Sequence, residues 1–191
     1  MASPAIGRGG LIWALSLLSC FGFIAISALA LLCPRLCGWR YWPPERAATW
    51  QHSSFRALFR LGLYPLIVAS VLLVRETGVW LPAPGIALMF AGFGGALWVT
   101  GKLGWKQAFG TAQGLVVTGP YAYSRNPVYV ATWLALLGWG LCLPYLPVAI
   151  PLVLWGLLYY IAPFLEEPWL EEKFGARYLA YKAKTPRFFG P

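Results

Sequence analysis

Within the 17 residues from Gln113 to Tyr129 the chain groups Gln113, Thr118, Tyr121, Arg125, Asn126 and Tyr129, and a carboxylate pair, Glu166-Glu167, follows a long uncharged stretch. A carboxylate pair at the end of an apolar run is costly to desolvate unless something cationic meets it. Arg125 is one such partner. A ligand carrying an ammonium or sulfonium group is another. On the first option the pair is a salt bridge clipping two helices, with Tyr121, Tyr123 and Tyr129 as aromatic anchors at a membrane surface. On the second it belongs to a binding site. The density of polar groups suits a site, as does the Gly119-Pro120 turn, which can bring backbone amides to a ligand. Both options stand on the residues alone.

The elements that carry these residues are apolar. A helix needs about 20 apolar residues to cross the hydrocarbon core. Leu11–Leu32 is a first charge-free span, too long for a signal-peptide core of about 7–15 residues and read as retained. A second runs over about 57–74, with Arg56 and Arg60 snorkelling to the interface. A third lies within 80–101, where Gly92, Gly94 and Gly95 permit close helix approach. Pro127–Leu165 then runs 39 residues without a charge, about right for two spans, 127–142 and 146–165. Pro144 and Pro147 break it into a hairpin, because proline removes a backbone donor. An antiparallel hairpin returns the chain to the face it left, so Arg125 and Glu166 are predicted at similar depth. Beyond Leu165, Trp169, Leu170, Phe174, Tyr178 and Tyr181 recur at helical spacing, which predicts one amphipathic helix at the interface.

Composition agrees. Of 191 residues, 59% are hydrophobic and 11% charged, against about 25% charged in soluble domains. The expectation is an all-α integral membrane bundle, one domain over 1–191, with a ligand-binding region at about 106–190. The net charge of +9 is not a nucleic-acid footprint, because the basic residues sit between apolar runs. With five spans, Arg8 and Arg75 fall on one side and the remaining thirteen Lys and Arg on the other. By the positive-inside rule the N-terminus is outside and the C-terminus cytoplasmic. Cys20, Cys33, Cys37 and Cys142 form no C-x-x-C pair and read as packing residues; no metal site is expected. The lone histidine, His52, reads as solvated in a polar loop.

The segment Leu115-Val-Val-Thr-Gly-Pro-Tyr-Ala-Tyr-Ser-Arg-Asn-Pro-Val-Tyr129, then Glu166-Glu167-x-x-Leu170, Phe174-Gly175-x-x-Tyr178-x-x-Tyr181 and Pro186-Arg187, resembles the isoprenylcysteine carboxyl methyltransferase and phospholipid methyltransferase group. The resemblance covers about residues 82–191. It implies an S-adenosyl-L-methionine cofactor held at the cytoplasmic face. Gln113, Leu115 and Val116 would line the cofactor, and Tyr121 would contact it. Arg125, Asn126, Pro127 and Tyr129 occupy the family's Arg-His-Pro-x-Tyr motif, which implies cofactor contact for all four and catalytic roles for Arg125, Asn126 and Tyr129. Glu166 would be the cofactor-binding carboxylate, with Glu167 beside it.

Two departures bear on chemistry. Asn126 replaces the family's histidine; it can donate and accept hydrogen bonds but cannot titrate, so it carries no general-base role. Ala162 stands where prenylcysteine enzymes have a substrate-binding arginine, so nothing there would hold a carboxylate. Methyl transfer then rests on positioning and water exclusion. The acceptor is a lipophilic or small thiol, amine or carboxylate compound, reached from the bilayer. Two alternatives remain open: an NADPH-dependent membrane reductase of sterol-reductase type, and a non-catalytic membrane protein on the same scaffold.

Overall fold

The computed structural model describes residues 4–44, 50–105 and 114–189. Among the described residues six α-helices follow one another: α1 (Pro4–Leu36), α2 (Trp50–Thr77), α3 (Ala83–Leu103), α4 (Pro127–Cys142), α5 (Leu146–Phe174) and α6 (Ala176–Lys184). A single 3-10 turn, Gly119–Ala122, precedes α4. The protein is an all-helical membrane bundle. Four helices, α1, α2, α3 and α5, are long and apolar enough to cross a membrane, and α4 is a shorter apolar helix. Large apolar side chains such as Leu17, Phe21, Phe90, Leu137 and Val153 are exposed on the outside of the bundle. In water that surface would be a severe liability; in lipid it is the expected exterior.

The helix limits follow from local chemistry. Pro127 opens α4, where its missing N–H is no loss, and Asn126 precedes it in a non-helical conformation. The chain turns through Leu143 and Pro144, and Tyr145 is extended before α5 begins. Trp133 Nε1 donates to the Gly156 carbonyl across this hairpin at 3.0 Å. The 29 residues of α5 would reach about 44 Å at 1.5 Å per residue, well beyond a hydrocarbon core of about 30 Å. Glu166 is twenty positions along it, close to the far boundary.

This differs from the expected division at Leu165. The apolar span runs on through Pro168 to Phe174, and the break comes at Gly175, whose φ of 53° closes the helix. The amphipathic stretch is therefore split. Its first half is the end of α5, and only Ala176–Lys184 forms a separate helix. His52 also departs from expectation. It lies in the first turn of α2 and is buried. Cys20, Cys33 and Cys142 are buried as expected, but Cys37 is exposed.

Small residues set the closest helix contacts. α4 packs most extensively on α3, where a Cβ at Gly92 would fall on the Ala135 backbone and one at Gly138 on the Met89 backbone. Of the three glycines singled out in α3, only Gly92 is so confined; Gly94 faces open space and Gly95 touches only the Ala131 Cβ, at 3.6 Å. α1 meets α2 through Gly22 and Gly62, and Ser19 Oγ donates to the Gly62 carbonyl at 2.5 Å. Between them lies an aromatic core in which Phe23 stacks on Trp155, with ring centres 5.6 Å apart.

Two irregular segments close over one end of the α4–α5 hairpin. The connection after α1 tucks Tyr41 and Trp42 inward, where they form a buried cluster with Ala30 and Cys33, against which Leu165 packs. From the other terminus, the tail beyond α6 folds back: the Arg125 amide donates to the Pro186 carbonyl at 2.9 Å. Phe188 packs against Trp133 of α4 and Tyr160 of α5, with ring centres 4.7 and 5.8 Å away.

Candidate active site at the end of the hairpin

The hairpin sets Tyr129, in the first turn of α4, against Glu166 near the end of α5. The Tyr129 hydroxyl donates to Glu166 Oε1 at 2.7 Å. Trp42 Nε1 donates to the same oxygen at 2.8 Å. No cation lies within ion-pair distance of Glu166 among the described residues. Its neighbour is held quite differently. Glu167 is 4% exposed and accepts from Arg125 Nη2 at 2.8 Å and from Arg187 Nε and Nη2 at 2.7 Å each. Lys182 Nζ stands 3.8 Å away. The expected clip between Arg125 and the carboxylate pair therefore exists, but its acid is Glu167 and not Glu166.

Arg125 is a hub. Its Nη1 donates to the carbonyls of Lys182 and Thr185, at 3.0 and 2.7 Å. Asn126 Nδ2 donates to the Arg187 carbonyl at 3.0 Å, and the Asn126 amide donates to Ser124 Oγ at 3.1 Å. Thus the Ser-Arg-Asn segment ties the C-terminal tail to the start of α4. Tyr181 adds a further tie, its hydroxyl donating to the Tyr121 carbonyl at 2.6 Å. Burial pushes the Tyr121 and Tyr178 phenols up and raises that of Tyr181 to about 12, so all three stay protonated at neutral pH. Hydrogen bonding to Glu167 raises Arg187 above its ordinary value.

A cavity of about 150 Å³ lies here, and it brings together Leu115, Val116, Tyr121, Arg125, Asn126, Tyr129, Glu166 and Glu167. Pro127 is not in its wall; its place is the first position of α4. Gln113 lies outside the described residues. Sequence reasoning assigned no site role to other residues of the wall: Trp42 and Pro43 from the α1–α2 connection, Leu103, Pro163, and the Leu170–Tyr181 stretch with Phe174 and Tyr178. The last group was visible as an amphipathic stripe. Trp42 carried no spacing signal at all.

A second, larger cavity of about 460 Å³ lies deeper among α1–α5. Phe55, Phe59, Phe93, Leu97, Trp139, Trp155 and Tyr159 line it, together with Ala162. Its only polar side-chain groups are hydroxyls and indoles; no charged side chain lines it among the described residues. Trp42, Val128 and Tyr129 belong to the walls of both cavities.

The first cavity sets a carboxylate beside apolar surface. Glu166 offers a carboxylate that two neutral donors hold on one oxygen only, and Leu115, Val116, Leu170 and Phe174 supply apolar surface.

The chain is 30% identical over 156 residues to the nickel-cobalt-cadmium resistance protein NccN of Alcaligenes xylosoxydans xylosoxydans, covering 76% of this chain and 71% of that relative. No solved structure matches the chain. The phospholipid methyltransferase family model matches residues 80–177, just over half of the chain, and takes in the 3-10 turn, all of α4 and both glutamates. By that match the chain belongs to the phospholipid methyltransferase family, a family of membrane methyltransferases.

Proposed function

We propose that the protein transfers a methyl group from S-adenosylmethionine to an uncharged lipophilic amine or thiol at the cytoplasmic end of the bundle. The observation that carries this reading is Glu166, a carboxylate fixed by Trp42 and Tyr129 at the edge of a cavity, with no cationic partner among the described residues. A carboxylate so placed favours a cationic ligand. When bound, S-adenosylmethionine supplies a methyl group on a positively charged sulfur. Glu166 would hold the cationic part, and Tyr121 and the apolar wall from Leu115 to Phe174 would hold the remainder and exclude water. Arg125 and Asn126 do their work through the tail: they pin residues 185–187 over the start of α4 and so shape the cavity floor. Positioning of this kind supplies the main part of a displacement barrier.

The acceptor side is the larger cavity. Its size falls within the range of about 300–1,000 Å³ usual for small-molecule sites, and its wall is aromatic and aliphatic. Ala162 lies in that wall, where no cation among the described residues meets a carboxylate; Arg125, the only cation lining the smaller cavity among the described residues, is already paired with Glu167. A neutral amine or thiol on an apolar body suits such a path, and Tyr129, common to both walls, would stand between acceptor and cofactor. The cytoplasmic orientation rests on thirteen Lys and Arg against Arg8 and Arg75.

The test is to incubate the purified protein in lipid nanodiscs with methyl-labelled S-adenosylmethionine and a membrane lipid extract. Label in an organic-soluble product is expected. Binding of NADPH in place of S-adenosylmethionine, with no labelled product, would overturn the reading in favour of a reductase.

A further inference from the structure

The family match begins at residue 80, and the first third of the chain carries no motif of the site. The structure nevertheless puts one residue of that third directly on the candidate carboxylate. Trp42 is 7% exposed. Its ring stacks on Phe55 of α2, with centroids 4.1 Å apart and planes 18° from parallel. That contact leaves the indole little rotational freedom and aims Nε1 at Glu166 Oε1, 2.8 Å away across 124 positions of sequence. Tyr129 approaches the same oxygen from α4. Both donors are on Oε1, and no described residue donates to Oε2, which leaves that oxygen to turn toward a ligand.

We infer that Trp42 is a positioning residue for ligand binding: its N–H fixes the Glu166 carboxylate so that Oε2 meets the positive charge of the bound molecule. The inference rests on the reading of this cavity as the S-adenosylmethionine site. The physical reason is that a carboxylate near the end of a membrane helix, with no cation within ion-pair distance among the described residues, keeps one orientation only if neutral donors hold it. The apolar first third of the chain thus completes the site: α1 delivers the connection, Phe55 of α2 fixes the ring, and the ring fixes the carboxylate. Trp42 also walls both cavities, so its shape and its N–H can be tested apart.

Affinity for two probes separates positioning from mere packing. S-adenosylmethionine carries the positive charges; 5′-methylthioadenosine keeps the nucleoside and lacks them. Both are titrated against detergent-solubilised wild type, Trp42→Phe and Trp80→Phe, the last altering an exposed tryptophan in the α2–α3 connection. Phenylalanine retains an aromatic wall and removes the N–H. The expected result is S-adenosylmethionine binding about tenfold weaker in W42F, as for loss of one hydrogen bond to a charged group. Binding of 5′-methylthioadenosine should be unchanged, and W80F should match wild type with both probes. Unchanged S-adenosylmethionine affinity in W42F overturns the inference while leaving the proposed function standing. Equal weakening of both probes overturns it too, since that is what a packing defect gives. A wild-type protein that binds no S-adenosylmethionine overturns the proposed function and this inference with it.

Discussion

Replacing Glu167 by glutamine should destabilise the bundle far more than a surface charge change would. Glu167 is 4% exposed and meets Arg125 and Arg187 with three hydrogen bonds of 2.7–2.8 Å. The two arginines differ in what they can do without it. Arg187 is 30% exposed in its side chain and can turn to water, so its share is discounted. Arg125 is 8% exposed and cannot. Removing one partner of a buried ion pair costs about 3–5 kcal/mol, mainly because the other charge stays buried and uncompensated. Glutamine keeps the shape and one acceptor oxygen, so the lower end, about 3 kcal/mol, is expected for E167Q. The assay is denaturant unfolding of the purified protein in detergent micelles, followed by tryptophan fluorescence. Replacing both charges, with Arg125→Met and Glu167→Leu together, should cost less than the sum of the two single changes, because no uncompensated Arg125 charge stays buried, although the Lys182 and Thr185 carbonyls lose their donor. Wild-type stability in E167Q, or a double variant weaker than the sum of the two single changes, would refute the reasoning.

Other expectations follow from single contacts. Gly92→Ala places a methyl on the Ala135 backbone, so the α3–α4 contact must open at about 1–3 kcal/mol, read in the same unfolding assay, whereas Gly94→Ala should match wild type. Tyr129→Phe removes the other donor on Glu166 and should weaken S-adenosylmethionine about tenfold in a binding titration. The raised pKa of Tyr181, about 12 against about 10 in an unfolded chain, contributes stability that is fully present below pH 10. That contribution should fade between about pH 10 and 12 as the phenol ionises. Melting curves across that window should show the decline, and Tyr181→Phe should flatten part of it.

The sequence made the hairpin legible because its punctuation is strong. Pro127 starts α4, Pro144 separates it from α5, Pro147 stands in the first turn of α5, and 39 uncharged residues leave little else for the chain to do. The end of α5 was harder to see. The charges after Leu165 suggested a boundary there, yet the helix runs on through Glu166, Glu167 and Pro168 to Phe174 and carries Pro151, Pro163 and Pro168 without ending. Which glutamate meets Arg125 was also beyond the sequence. Neighbouring residues on a helix point about 100° apart, so the choice between Glu166 and Glu167 depends on the rotation of α5, which tertiary packing sets. His52 misled for a related reason: Gln51-His52-Ser53-Ser54 is polar enough to look like a loop, but it sits in the opening turns of α2. Trp42 meets Glu166 across 124 positions, and no local pattern encodes such a contact.

The most direct measurement is calorimetric titration of the solubilised wild-type protein and Glu166→Gln with S-adenosylmethionine. Glutamine keeps the size of the side chain and removes its charge. Saturable binding by the wild type and a loss of about tenfold or more in E166Q is the expected pair of results. Equal binding by both proteins would contradict the role given to Glu166, and no binding by either would contradict the assignment of the cavity itself.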